Sequence, residues 1–168
     1  MAETPPNVDE LRQVGLFGAI SDEVLEFLAA KLVVMHPEPG TEVFKEGDVA
    51  RDMFVVMSGE MEVLKRSQHG MEARVALLGP GDWFGEMSIL DVQPRSATVR
   101  VLAPSRILRI AASDLDSLYR HDVKAYAIIV LNVARELSRR LRVADGLLAE
   151  FVANVMRHYV ERRRPPAS

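Results

Sequence analysis

Glu86 and Arg95, nine positions apart (95 − 86 = 9), are the residues of this 168-residue chain whose types and spacing suggest chemistry. They stand in Gly81-Asp82-Trp83-Phe84-Gly85-Glu86-Met87-Ser88-Ile89-Leu90-Asp91-Val92-Gln93-Pro94-Arg95-Ser96-Ala97-Thr98, where anion-binding and hydroxyl-binding chemistry fall together inside an otherwise apolar region. Arg95 is a fixed cation with a planar fork of donors suited to a phosphate, and Pro94 stiffens the approach to it. Phe84-Gly85 lets the backbone come close to a ligand. Glu86 to Asp91 is long enough for one helical turn, whose unsatisfied N–H groups favour an anion. An ionised Glu86 only accepts hydrogen bonds and is repelled by phosphate, so it should face a neutral donor such as a sugar hydroxyl. Carboxylate plus arginine reads as ribose plus phosphate. The competing reading is a plain Glu86–Arg95 ion pair on a surface loop.

Phe84-Gly85-Glu86-Met87-Ser88-Ile89-Leu90 followed by Pro94-Arg95-Ser96-Ala97-Thr98 resembles the phosphate-binding cassette of the cyclic-nucleotide-binding domain family, of the catabolite activator and protein kinase A regulatory subunit type. The resemblance implies that Glu86 holds the ribose 2′-hydroxyl and Arg95 the exocyclic phosphate oxygens. Phe84, Met87 and Ala97 line the cassette, and backbone N–H groups of Gly85 to Ser88 and of Ser96 supply the remaining donors. It also implies a regulatory module, not an enzyme, with cyclic AMP as first choice of ligand and cyclic GMP as the other candidate. Ser96 stands where a hydroxyl can meet the purine.

The elements that must position these residues follow from periodicity. Val8, Leu11, Val14, Leu16 and Phe17 recur at helical spacing, and Ser21 offers an N-cap to a helix carrying Val24, Leu25, Phe27, Leu28 and Leu32. Residues 1–31 therefore read as a helical lead-in. From 32 to 112 short β-prone runs are expected at Leu32–Met35, Glu42–Phe44, Met53–Met57, Glu60–Lys65, Arg74–Leu78, Trp83–Phe84, Thr98–Leu102 and Arg106–Ile110, separated by turns such as Pro39-Gly40 and Ser58-Gly59. Strands without long intervening helices mean antiparallel pairing, closed as a jelly roll or small barrel of about eight strands. The fold class expected is α+β, mainly β: an eight-stranded antiparallel jelly-roll barrel holding the cassette 81–98, with N-terminal helices, a short cassette helix and a long C-terminal helix.

Helices return over 113–162. Ser113 with Asp116 three residues on should open a short helix through Tyr119, and Asp122 should cap the next. Ala127, Val130, Ala134, Leu137, Leu141, Ala144, Leu148, Phe151 and Val155 then alternate by three and four with no proline, a heptad seam of about four heptads on a helix roughly 60 Å long. Such a helix calls for a partner, most simply the same helix of a second subunit through residues 127–155. The competing reading folds it back on its own domain. Gly146 is placed to bend it. Ser138 to Asp145 resembles the family's dimer helix, which implies Arg140, Ala144 and Asp145 as further ligand contacts, Arg140 as a partner for Glu86, and Ala144-Asp145 as a departure at the purine contact. Residues 163–168 read as a solvated tail.

Composition excludes several classes. There is no cysteine, so disulfides, thiol catalysis and iron–sulfur chemistry are out. A net charge of −3 gives no footprint for nucleic acid, no run approaches a membrane span, and no secretory leader opens the chain, so a cytoplasmic protein is expected. His36, His69, His121 and His158 lie far apart, which argues against a metal site, and no Gly-x-Ser-x-Gly, Gly-x-Gly-x-x-Gly or Gly-x-x-x-x-Gly-Lys motif frames a catalytic or dinucleotide pocket. The expected function is a cyclic-nucleotide-sensing module that signals through its C-terminal helix to an unidentified downstream protein. The alternatives are a dimerisation scaffold with another ligand or none, and the sensor part of a DNA-binding regulator. No residues after the Arg162-Arg163-Arg164 run would build a winged helix-turn-helix.

Overall fold

A computed structural model describes residues 3–162, with side chains described for residues 5–159. Helix α1 (Val8–Arg12) opens with a capping box: the Asn7 side chain accepts from the Asp9 N–H at 2.9 Å, and Glu10 Oε2 accepts from the Asn7 N–H at 3.1 Å. Glu10 Oε1 also accepts from Arg106 Nη1 at 2.8 Å. The Arg106 bond, and after it the Asn7 N–H, hold the Glu10 carboxyl below the usual range. The helical run expected from Val8 to Phe17 ends at Arg12, and a separate 3-10 turn forms over Gly15–Phe17. Leu11, Leu16 and Phe17 nonetheless all point inward. Helix α2 (Asp22–Ala29) starts after Ser21 as expected, without a hydrogen bond from the Ser21 side chain, and buries Val24, Leu25 and Leu28.

Nine strands occur among the described residues: β1 (Glu3–Thr4), β2 (Val33–Met35), β3 (Glu42–Phe44), β4 (Asp52–Ser58), β5 (Met61–Arg66), β6 (Glu72–Leu78), β7 (Trp83–Phe84), β8 (Thr98–Val101) and β9 (Arg106–Ala111). Eight are the expected runs within a residue or two. The ninth, β1, is too short to carry an alternation. Every pairing is antiparallel. The strands form a five-stranded sheet in the order β1-β2-β9-β4-β7 and a four-stranded sheet in the order β3-β8-β5-β6. Among the described residues the two sheets share no strand pairing, so the architecture is an open two-sheet sandwich rather than the closed barrel expected. Phe54, Val56, Phe84 and Ile107 of the first sheet meet Met61, Leu78, Val99 and Val101 of the second in one core.

The short helix after β9 begins earlier than its Ser113 suggests. Helix α4 (Ala112–His121) follows Ala111, and Asp114 Oδ2 accepts from the Ala111 N–H at 2.8 Å, so an acid on the third residue replaces the expected serine cap. Asp122 does cap helix α5 (Val123–Arg162), accepting from the Ala125 N–H at 2.9 Å. The helical pattern of α5 continues through Gly146. Over its first turns Ala125 and Ile129 are the buried positions, while the seam residue Ala127 is exposed. The Asn132 amide donates to the carbonyls of Leu16 and Gly18 at 3.0 and 3.1 Å. The chain divides into two units, Met1–Asn132 and Val133–Ser168. The tail expected at 163–168 lies outside the described residues.

Candidate functional site

β7 delivers Phe84 to the sandwich core, and the chain then turns at Gly85 (φ 81) into a single helical turn, α3 (Met87–Leu90), with Glu86 at its N-cap. The left-handed backbone at Gly85 explains the glycine. So does its surroundings: a Cβ there would lie 2.6 Å from Arg95 Nη1 and 3.3 Å from both Asp52 O and Phe44 Cε1. The sequence suggested that Gly85 lets a ligand approach; in the structure it lets Arg95 approach.

Arg95 returns from the α3 turn to the sheets, where its N–H donates to Asp48 O at 2.8 Å and its carbonyl accepts from the Gly47 N–H at 2.9 Å. The side chain runs inward and is 3% exposed, which removes the surface ion pair as a reading. Its Cζ sits 4.0 Å from the centroid of Phe44 and 5.9 Å from that of Phe54, two rings of a cluster with Phe84. Nη1 donates to Asp52 O at 2.6 Å, Ser88 Oγ at 2.8 Å and Gly85 O at 2.9 Å, and Nη2 pairs with Asp52 Oδ1. Both terminal nitrogens reach Asp52, so that residue holds the end edge of the planar guanidinium. The side edge is different. Its Nε is buried and makes no hydrogen bond. A buried N–H without an acceptor costs about 1–3 kcal/mol, and an anion laid along Nε and Nη2 would satisfy it bidentately. Burial pushes the Arg95 pKa down; the carboxylate of Asp52, then those of Asp48 and Glu86, oppose that shift.

Glu86 is 4% exposed and Ser88 2% exposed, and Ser88 Oγ also donates to Gly85 O at 3.0 Å. Met87 and Ser96 are exposed, with Ser96 Oγ 3.7 Å from Met87 Sδ, and Ala97 is half-buried. Phe84, Gly85, Glu86, Met87, Ser88, Arg95, Ser96 and Ala97 lie on the segment that runs from β7 through α3 to β8. Of the other sequence candidates, Arg140, Ala144 and Asp145 lie on α5 in the second unit. Ala144 and Asp145 are exposed, and Arg140 Nε is 3.2 Å from Glu136 Oε1 one turn earlier.

Sequence reasoning missed Asp52. It precedes Phe54 and Val56 by even steps on β4, so strand alternation points it inward with those core residues. An acid at the inward end of an apolar strand needs a cation, and that was the available signal. Among the described residues no cluster of His, Cys, Asp and Glu could hold a metal ion, and no helix is long and apolar enough to cross a membrane.

Chemically, the arrangement offers a phosphate the unpaired Nε edge of Arg95 beside a buried carboxylate. Residues 34–122 match the model of the cyclic nucleotide-binding domain. The cyclic AMP receptor protein of Thermus thermophilus is 35% identical over 111 residues, 66% of this chain and 49% of the relative, so this chain spans about half of that protein. The N-terminal domain of a transcriptional regulator from Streptomyces coelicolor superposes with a TM-score of 0.68 at 30% identity, covering 80% of this chain and 95% of that one. The regulatory domain of Toxoplasma gondii protein kinase A, solved with cyclic AMP, superposes with a TM-score of 0.60 at 29% identity over 66% of this chain and 42% of that one. These relatives are regulatory proteins and not enzymes. With a family match over more than half of its length and the cassette in place, the chain belongs to the cyclic nucleotide-binding domain family.

Proposed function

We propose that this chain is a cyclic-nucleotide sensor, with cyclic AMP as its first ligand, acting in the cytoplasm through its C-terminal helix on another protein. The observation that carries the proposal is the buried Arg95, clamped on its end edge by Asp52 and unpaired at Nε, with buried Glu86 in the same turn. In this reading the phosphate lies along Nε and Nη2, and Glu86 accepts from the ribose 2′-hydroxyl. Phe84, Gly85, Met87, Ser88, Ser96 and Ala97 shape the remainder. On the resemblance of their helix alone, Ala144 and Asp145 are base-contact candidates and Arg140 is a candidate partner of Glu86. The preference for cyclic AMP rests on the Thermus and Toxoplasma relatives. Isothermal titration with cyclic AMP, cyclic GMP and a cyclic dinucleotide tests it: tightest binding of cyclic AMP is expected, and saturation by the dinucleotide alone would overturn it.

Glu86 has its own test. Glu86→Ala should lose roughly 1.5–3 kcal/mol toward cyclic AMP, the worth of a hydrogen bond to a charged group. It should lose little toward 2′-deoxy cyclic AMP, which lacks the donor. Equal losses toward both ligands would remove the carboxylate from the ribose.

A homodimer through residues 127–155 is part of the same reading. In the second unit Leu141, Leu148, Phe151 and Val155 are 51–64% exposed at heptad spacing, an apolar seam that a partner helix would cover. Light scattering on the full chain and on Leu148→Asp with Phe151→Asp should show a dimer and a monomer at micromolar concentration. A monomeric full chain would contradict the seam.

Signalling is tested by hydrogen exchange. Ligand should slow exchange over residues 137–155 as well as 85–98, because a ligand shifts an equilibrium only through its difference in affinity between two states. Protection limited to the cassette would mean a passive binder. A second reading, the sensor part of a DNA-binding regulator, is favoured by the Streptomyces relative and by the 49% coverage of the Thermus receptor.

A further inference from the structure

We infer that Met87 is an oxidation site in the cassette: peroxide converts its thioether to the sulfoxide, which captures the Ser96 hydroxyl and lowers affinity for the ligand. The inference rests on the cyclic-nucleotide reading of the site. The sequence holds no cysteine, so its sulfur redox chemistry falls to methionine. Among the described residues Met53 and Met61 are buried and Met35 and Met57 half-buried, whereas Met71, Met87 and Met156 are 70, 46 and 58% exposed. Of these three only Met87 stands in the cassette, as the first residue of α3, between buried Glu86 and buried Ser88. Its Sδ lies 3.7 Å from the Oγ of Ser96, on the limb that carries the chain from Arg95 to β8.

Ser96 has little freedom to retreat from a change at Met87. The Gly47 N–H holds the carbonyl on its N-terminal side, that of Arg95, at 2.9 Å. Lys65 Nζ donates to the carbonyl of Ser96 itself and pairs with Glu46 Oε1 at 3.1 Å, and Glu46 Oε2 accepts from the Arg66 N–H at 2.9 Å. With both flanking peptides tied, the hydroxyl is the part of Ser96 left to turn. A thioether is a weak acceptor, so it yields that hydroxyl to a bound nucleotide. Oxidation by hydrogen peroxide ends this. The Sδ lone pair attacks one peroxide oxygen, an S–O bond forms as the O–O bond breaks, and the displaced hydroxide takes the proton of the transferred oxygen and leaves as water. Sulfur loses two electrons and the peroxide gains them. The thioether has become a polar sulfoxide whose oxygen is the better acceptor. A hydroxyl carries one hydrogen, so a Ser96 O–H held by the sulfoxide is withdrawn from the ligand.

The experiment treats the full chain with hydrogen peroxide, identifies the oxidised methionines by peptide mass spectrometry, and measures cyclic AMP affinity by calorimetry before and after. The proteins are the wild type, the double variant Met71→Leu with Met156→Leu, Met87→Leu and Ser96→Ala, each compared with its own untreated sample. In the wild type and the double variant, sulfoxide at Met87 should weaken cyclic AMP roughly 3- to 10-fold, the worth of one neutral hydrogen bond. The two methionine sulfoxide reductases, one for each epimer, should restore the affinity with dithiothreitol as reductant. Met87→Leu and Ser96→Ala should each change by less than about twofold on treatment, below the weakest such bond. A general loosening of the fold by peroxide would instead weaken all four proteins alike. In a wild type that binds cyclic AMP, three results would each overturn the inference: Met87 left unoxidised while Met71 and Met156 react, complete Met87 sulfoxide with no loss of affinity, or an equal loss in Met87→Leu or Ser96→Ala. An untreated wild type that binds no cyclic nucleotide would overturn the ligand reading first, and this inference with it.

Discussion

Arg95→Lys should weaken cyclic AMP binding roughly 10- to 150-fold, the equivalent of about 1.5–3 kcal/mol for a charge-assisted hydrogen bond, and Arg95→Ala should cost at least as much. Lysine keeps the charge, so a loss of this size would report the planar fork rather than electrostatic attraction. A single ammonium cannot hold Asp52 along one edge and a phosphate along another, as the Nη1 and Nη2 bonds and the unpaired Nε allow the guanidinium to do. Thermal melting of the same variants separates lost binding from lost folding. Unchanged affinity in both variants would remove Arg95 from the site.

Gly85→Ala should destabilise the fold by roughly 2–4 kcal/mol and abolish ligand binding even where the protein remains folded. About 1–2 kcal/mol comes from placing an L side chain at φ 81. The rest comes from a methyl group 2.6 Å from Arg95 Nη1, packed against backbone on Asp52 and an aromatic ring on Phe44 that have little room to yield. Urea unfolding measures the first effect and calorimetry the second. A loss under about 0.5 kcal/mol, the range of an ordinary surface substitution, would contradict the left-handed turn at Gly85 and the packing of Arg95 behind it.

Much of this site was legible because its chemistry is local. Phe84-Gly85-Glu86 and Pro94-Arg95-Ser96 sit in one 18-residue stretch, 81–98, where residue type and spacing speak without tertiary information. The strands were legible for a similar reason: runs such as Met53–Met57 are bounded by turn residues that break any helix, and their observed ends differ by only a residue or two. What escaped depends on distance or on competition. Asp52 reaches Arg95 across 43 positions, and nothing near either residue in sequence announces the other. Ser113 looked like a cap because it has the right side chain, but Asp114 on the preceding register could fasten the Ala111 N–H and took the role. Val92 adopts φ 58, a conformation a β-branched residue ordinarily avoids, in the loop that carries α3 back to Arg95. Local preference argues against that geometry, so only the surrounding fold can impose it. Closure of the sheets could not be read from strand count, since eight or nine antiparallel strands can form a barrel or an open sandwich.

The most direct test is a crystal structure of the full chain with cyclic AMP. The expected result is one nucleotide per chain, with an exocyclic phosphate oxygen pair on Nε and Nη2 of Arg95, the ribose 2′-hydroxyl donating to Glu86, and Asp52 still holding the end edge of the guanidinium. A nucleotide bound away from the 81–98 turn, or a phosphate whose only cation is a residue other than Arg95, would contradict the account.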